Sequence, residues 1–326
     1  MDFTEFGWNG LFFEAPEEGR FTRYGGNAKK GSFMLEAEDY LIEGRWEPIP
    51  KRRRPISMIA SSLVDKMGDQ YGKSKRRPRK QSATILEKKD ARVYSHEALY
   101  IVVKAQSEER LYLWYCDESS RVIILRFIFK TFDESAKNII KQVLESFKCH
   151  RENTNIWSLL NLRFEAPQEL LLTGTKIAVG RARFILTGTK VTSFTERTST
   201  LIVDYYSMAN VVFKNTLDDL DGWFKKNYEK ELCKQLKKRG IKFKLAEPRN
   251  LRKHKLVVKV AEEKSGLSWR GTTHYTNLTW YCPESNRIYI VTFLHTVSRP
   301  IILKRQIPES EYTDPVDNLL SLFKCH

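Results

Sequence analysis

The chain has 326 residues, enough for about two domains. A content of 41% hydrophobic and 12% aromatic residues excludes a disordered chain and allows a sizeable core. A formal charge of +16 favours phosphate-rich partners, and no apolar run approaches the roughly 18 residues that a membrane span needs.

The N-terminal MDFTEFGWNG is acidic and aromatic. It lacks the basic start and apolar stretch of a secretory signal, so a cytoplasmic protein is expected. WNGLFFEAP, residues 8–16, predicts a strand running into a proline turn. SFMLEAEDYLIEGRWEPI alternates apolar and polar positions and predicts one or two more strands. A helix is predicted over residues 57–71, followed by the strands SHEALYIVVKA, LYLWYCDESSRV and RVIILRFIF. SAKNIIKQVLESF predicts a terminal helix whose apolar stripe is Ile139, Ile140, Val143, Leu144 and Phe147.

These blocks then return in the same order. WNGLFFEAP becomes WSLLNLRFEAP, GSFMLEA becomes GRARFIL, and SHEALYIVVKA becomes KHKLVVKVA. LYLWYCDESSRV becomes LTWYCPESNRI, and VLESFKCH becomes LLSLFKCH. Five matches in one order imply a tandem duplication, with repeats at 1–150 and 156–326 joined by a polar linker at 151–155. The first helix of the second repeat is predicted over 217–239, with Leu217, Leu220, Phe224, Tyr228, Leu232 and Leu236 at helical spacing and Gly240 as its cap.

Consecutive strands with short connections imply antiparallel pairing. The expected fold is α+β: two tandem duplicated domains, each an antiparallel β-sheet covered by two helices, an α/β/α sandwich. The opening strand ending at Pro16 or Pro167 and the closing helix, which ends Ser-Phe at Ser146 and Phe147, resemble the PsbP-like α/β/α sandwich fold in both halves. That resemblance implies a binding or assembly module rather than a shared chemistry.

Eight of the eleven Cys and His residues fall in matched positions. They are His96, Cys116, Cys149 and His150 in the first repeat, and His254, Cys282, Cys325 and His326 in the second. Two Cys and two His close a tetrahedral zinc site, and thiolate with imidazole favours zinc over magnesium or calcium. The expectation is two structural zinc ions per chain, each fastening a terminal helix to its sheet. The spacing matches no known zinc motif and contains no C-x-x-C. Two other readings stay open: disulfides Cys116–Cys149 and Cys282–Cys325, or inert core cysteines. Arg121 and Arg287 also match; one reading is contact with an anion, and the expected role is a salt bridge to Glu118 or Glu284 or a solvated strand start.

Two basic tracts occupy equivalent places, residues 51–80 and 225–259. Charge recurs there without a motif, as in sequence-independent contact with a phosphate backbone. The candidates are Arg52, Arg53, Arg54, Arg76, Arg77, Lys237, Lys238 and Arg239. No phosphate loop, dinucleotide fingerprint, nucleophile elbow or His-Glu-x-x-His is present. The functional expectation is a non-enzymatic binding or scaffold protein, with a nucleic-acid binder as the alternative.

Overall fold

The computed structural model describes residues 1–71, 83–212, 217–238, 240–266, 269–300, 308 and 310–325. Contacts divide the chain into two compact units, Met1–Leu160 and Asn161–His326.

The first unit opens with the hairpin β1 (Phe3–Trp8) and β2 (Leu11–Pro16). Asn9 and Gly10, at φ 53° and 79°, make its two-residue turn, the conformation that Asn-Gly favours. Then come β3 (Arg20–Gly26), β4 (Gly31–Glu36), β5 (Tyr40–Pro48), helix α1 (Ile56–Tyr71), β6 (Thr84–Val93), β7 (His96–Lys104), β8 (Glu108–Cys116), β9 (Arg121–Phe129), helix α2 (Glu134–Ser146) and β10 (Thr154–Leu159). The main sheet has seven antiparallel strands in the order β3-β4-β5-β9-β8-β7-β6. Strand β10 pairs with β1, Gly7 facing Ser158, and carries the compact unit on to Leu160. A Cβ on Gly7 would lie 2.6 Å from the Ile156 carbonyl oxygen, so this approach requires glycine.

One face of the seven-stranded sheet takes α1, whose Ala60, Val64 and Met67 pack on Leu99, Ile101, Val103, Leu111 and Leu113. The other face takes the hairpin and α2. Phe13 of β2 stacks between Phe33 and Phe147, at 5.2 Å and 5.9 Å, and Trp114 meets Phe147 edge-on at 5.3 Å. Asp133 caps α2 by accepting from the Ala136 amide at 2.9 Å.

The second unit contains β11 (Leu162–Pro167), β12 (Leu171–Ala178), β13 (Arg181–Val191), β14 (Glu196–Ser207) and the short helix α3 (Ala209–Val212). A longer helix follows in three parts: α4 (Leu217–Trp223), a π-turn (Phe224–Tyr228) and α5 (Glu229–Gln235). Then come β15 (Lys244–Leu245), β16 (Arg249–Leu251), β17 (His254–Ser265), β18 (Trp269–Cys282), β19 (Arg287–Pro300) and α6 (Ser310–Ser321). The sheet order is β12-β13-β14-β19-β18-β17-β15, with β16 also on β17. Leu220, Phe224, Tyr228 and Leu232 of the helix pack on Ile202, Val257, Tyr275, Ile288 and Ile290. Phe323, just after α6, stacks on Phe164 at 6.3 Å and meets Trp280 edge-on at 4.9 Å.

This architecture corrects the expected helix-covered α/β/α sandwich. The chain is mostly β-structure in antiparallel sheets, and its few helices cover only part of each sheet. The outer strands were hard to see because they bury little. Nearly all of β6 is exposed, and β3 and β12 alternate only weakly. Such strands are held by backbone ladders, which leave no apolar pattern in the sequence. The second-unit helix also ends earlier than predicted. Lys237, at φ 52°, takes the left-handed closing position expected for Gly240, and the Lys238 amide bonds to the Cys233 carbonyl at 2.9 Å.

Candidate metal centres

Two hairpins set the first centre. A two-residue turn, with Tyr94 at φ 53°, pairs Val93 with His96 and makes His96 the first residue of β7. Cys116 is the last residue of β8 and pairs with Arg121 across the next turn. Ala98 faces Trp114, so the same register carried two residues further sets His96 opposite Cys116. Strand alternation puts both side chains on the face that also holds Trp114.

The remaining donors come from the chain after α2. Phe147 leaves the helix in an extended conformation, and Lys148 bridges to Phe12 by two backbone hydrogen bonds of 2.9 Å and 2.7 Å. A bend at Cys149 follows. It allows adjacent Cys149 and His150 to turn towards one point. Cys149 Sγ lies 3.1 Å from His96 Nε2 and 3.5 Å from His150 Nδ1. Cys116 Sγ lies 3.3 Å from His150 Nδ1. All four donor atoms fall within 4.8 Å of one another. In a tetrahedral zinc site, Zn–S of about 2.3 Å and Zn–N of about 2.0–2.1 Å separate sulfur from nitrogen by about 3.5 Å. The donor set therefore has the size of a tetrahedral metal site and could hold an ion.

The electrostatics suit a thiolate. A hydrogen bond from Cys149 brings the Cys116 thiol down to about 5 against the opposing effect of burial, and the Ser119 amide donates to Cys116 Sγ at 3.4 Å. Cys149 is pushed up by the same contact and by burial. The two thiols therefore shift in opposite directions, Cys116 towards the thiolate and Cys149 towards the thiol. Glu118 Oε2 lies 3.6 Å from Cys116 Sγ, and Glu284 Oε2 lies 3.3 Å from Cys282 Sγ.

Arg121 has a different role from the one expected. It is 4% exposed and makes no ion pair with Glu118. Its guanidinium donates to the Asn9 carbonyl at 2.9 Å, to the Ala28 carbonyl at 3.4 Å and to the Cys149 carbonyl. It therefore anchors the backbone that delivers Cys149.

The second centre is built in the same way. His254 starts β17 after a two-residue turn with Arg252 at φ 53°, and Cys282 ends β18. Lys324 bridges to Arg163, and Cys325 Sγ reaches His254 Nε2 at 3.4 Å. His254, Cys282 and Cys325 lie within 4.8 Å of one another and could hold an ion. Burial, with Cys282 beside it, pushes the Cys325 thiol up to about 12. The Cys325 carbonyl is held by the Tyr289 hydroxyl at 3.0 Å, while Arg287 donates to the Asn161 carbonyl at 3.2 Å and covers the Tyr205 ring. His326 lies outside the described residues. All five cysteines are free thiols, and Cys233 stands apart against the core of the second unit.

The described basic candidates are Arg52, Arg53 and Arg54 in the first unit and Lys237 and Lys238 in the second. Arg53 is paired with Asp117 at 3.1 Å and lies over Tyr115 at 4.2 Å, and the Tyr115 hydroxyl donates to the Arg54 carbonyl at 2.8 Å. Arg52 is exposed beside them. Lys238 pairs with Glu263 at 3.2 Å, and Lys237 points to solvent at the end of α5. Arg76, Arg77 and Arg239 lie outside the described residues. The sequence marked Arg121, Glu118 and Glu284 but not their roles, a carbonyl anchor and carboxylates beside the thiols, and it did not mark the carbonyl anchor Tyr289. The recurrence of arginine five residues after each cysteine was the visible trace of Arg121.

Among the described residues, no helix is long and apolar enough to cross a membrane. No protein-family model matches the chain. No curated protein matches it either. Solved structures of the immunity protein TplEi of T6SS from Pseudomonas aeruginosa are similar to it. The complex with the "L" peptide has 11% identity over 95% of this chain and 98% of that one, at a TM-score of 0.27. The apo structure has 13% identity over 94% and 96%, at a TM-score of 0.26. At these scores the likeness carries neither fold nor function to this chain.

Proposed function

We propose that the chain arose by tandem duplication and that each half holds one structural zinc ion in a Cys2His2 site. The ion fastens the segment after the terminal helix to the sheet. The protein serves as a non-enzymatic binding or scaffold module in the cytoplasm.

The convergence of His96, Cys116, Cys149 and His150 within 4.8 Å carries this reading. In that centre protein donors fill all four positions of a tetrahedral ion, which leaves none for substrate. The matching His254, Cys282 and Cys325 meet in the second unit, where His326 is the expected fourth ligand. The recurring strand order, with a helix before the β15–β17 or β6–β7 edge and another after the last strand, supports duplication. Free thiols favour a reducing compartment.

Elemental mass spectrometry on purified, untagged protein, with a free-thiol count, tests the proposal. The expected result is about two zinc ions per chain, with metal and stability lost together on chelation. Metal-free, fully folded protein with all five thiols reactive would reject it.

A further inference from the structure

The helix formed by α4, the π-turn and α5 carries two interleaved four-residue repeats. Leu220, Phe224, Tyr228 and Leu232 form the apolar one and are buried against the sheet. Lys226, Lys230 and Lys234 form the basic one, and all three are exposed. In a regular α-helix, four residues overshoot a full turn by about 40°, so such repeats would spiral around the axis. The wider π-turn takes back that drift, with the Glu229 amide bonded to the Phe224 carbonyl five residues earlier. It keeps the apolar row on the sheet. By the same rotation it keeps the lysines in line on the opposite side. Lys237, in the left-handed position that closes the helix, extends the row.

The acids nearby are mostly engaged elsewhere. Asp221 pairs with the buried Lys259 and with Lys225, and Glu231 pairs with Arg181 and Arg183. Among the described residues, Lys226, Lys230, Lys234 and Lys237 form no ion pair, and half-buried Glu229 is the acid left beside them. Lys242 and Lys244 follow, both exposed.

We infer that this lysine row is a contact surface for a nucleic-acid phosphate backbone. The row spans about 17 Å at 1.5 Å per residue, the length of about five phosphates along one strand of a duplex. A helix that lies on a membrane inserts aromatic or leucine side chains beside its basic face. Here Trp223, Phe224, Tyr228 and Leu232 are all buried against the unit's own core, so the row offers charge without an inserting edge. The inference does not depend on the metal centres.

Fluorescence anisotropy with labelled duplex DNA and single-stranded RNA, across a salt series, tests it. The intact chain should bind, with a log–log salt slope of about −3 to −4 on the duplex if the four lysines make the contact. The triple variant Lys226→Glu/Lys230→Glu/Lys234→Glu should bind at least tenfold more weakly while melting like the parent. Should the triple variant fold poorly, Lys230→Gln alone should reduce the slope by about one. Absence of binding at low salt, or equal binding by parent and variants, would overturn the inference. So would loss of binding in the variants confined to vesicles of anionic phospholipid, because the partner would then be a membrane surface.

Discussion

The Cys149 thiol lies 3.1 Å from Nε2 of His96, a residue 53 positions earlier in the chain. The two belong to different elements, the segment after α2 and the first position of β7. If a metal joins them, the contact closes a long loop and becomes part of the folding free energy.

Cys116→Ser and Cys149→Ser should each therefore destabilise the protein by several kcal/mol. With metal at a thousandfold its Kd, the stabilisation removed is about 4 kcal/mol. Denaturant unfolding with parallel metal analysis checks this. Equal stability of parent and variants would mean that no metal is coupled to folding.

Arg121 and Tyr289 hold equivalent carbonyls, those of Cys149 and Cys325, by different chemistry. Arg121→Leu should cost about 2–4 kcal/mol, because it strands more than one buried carbonyl. Tyr289→Phe removes a single hydrogen bond and should cost about 1–2 kcal/mol. Urea unfolding of both variants measures the difference, and the reverse ranking would count against the anchoring role of Arg121.

Phe147 is fully buried, stacked on Phe13 and edge-on to Trp114, two residues before Cys149. Phe147→Ala should cost about 3–5 kcal/mol through its cavity. It should also weaken metal retention, because it loosens the segment that carries two donors. A metal-affinity titration on the folded variant separates these effects.

Burial holds the imidazoles of His295 and His274 below their ordinary values, against the opposing pull of Glu311 and Glu262. The unfolded chain then binds protons more readily than the folded one. Stability is fully present above the unfolded value of about 6.5 and falls as the pH drops through the lower folded values. His295→Asn should lose less stability than the parent between neutral and mildly acidic pH. Comparing the two proteins cancels any contribution from the metal centres. Parallel pH profiles would remove His295 as the source.

The residue types of the candidate centres were legible without any structure, because Cys and His carry their ligand chemistry in the side chain and recur in matched positions. Helices α1 and α2 were legible too, since an apolar stripe records which side of a helix is buried. The breadth of the sheets was not. β3, β6 and β12 join through backbone groups that every residue possesses, and they bury too little to leave a pattern. The role of Arg121 was also hidden, because Asn9 and Ala28 supply its carbonyls from 112 and 93 residues away. Local periodicity and side-chain chemistry belong to the sequence alone. Strand register, the bend at Cys149 and the partners of buried charges arise only when distant segments meet, so only the tertiary structure decides them.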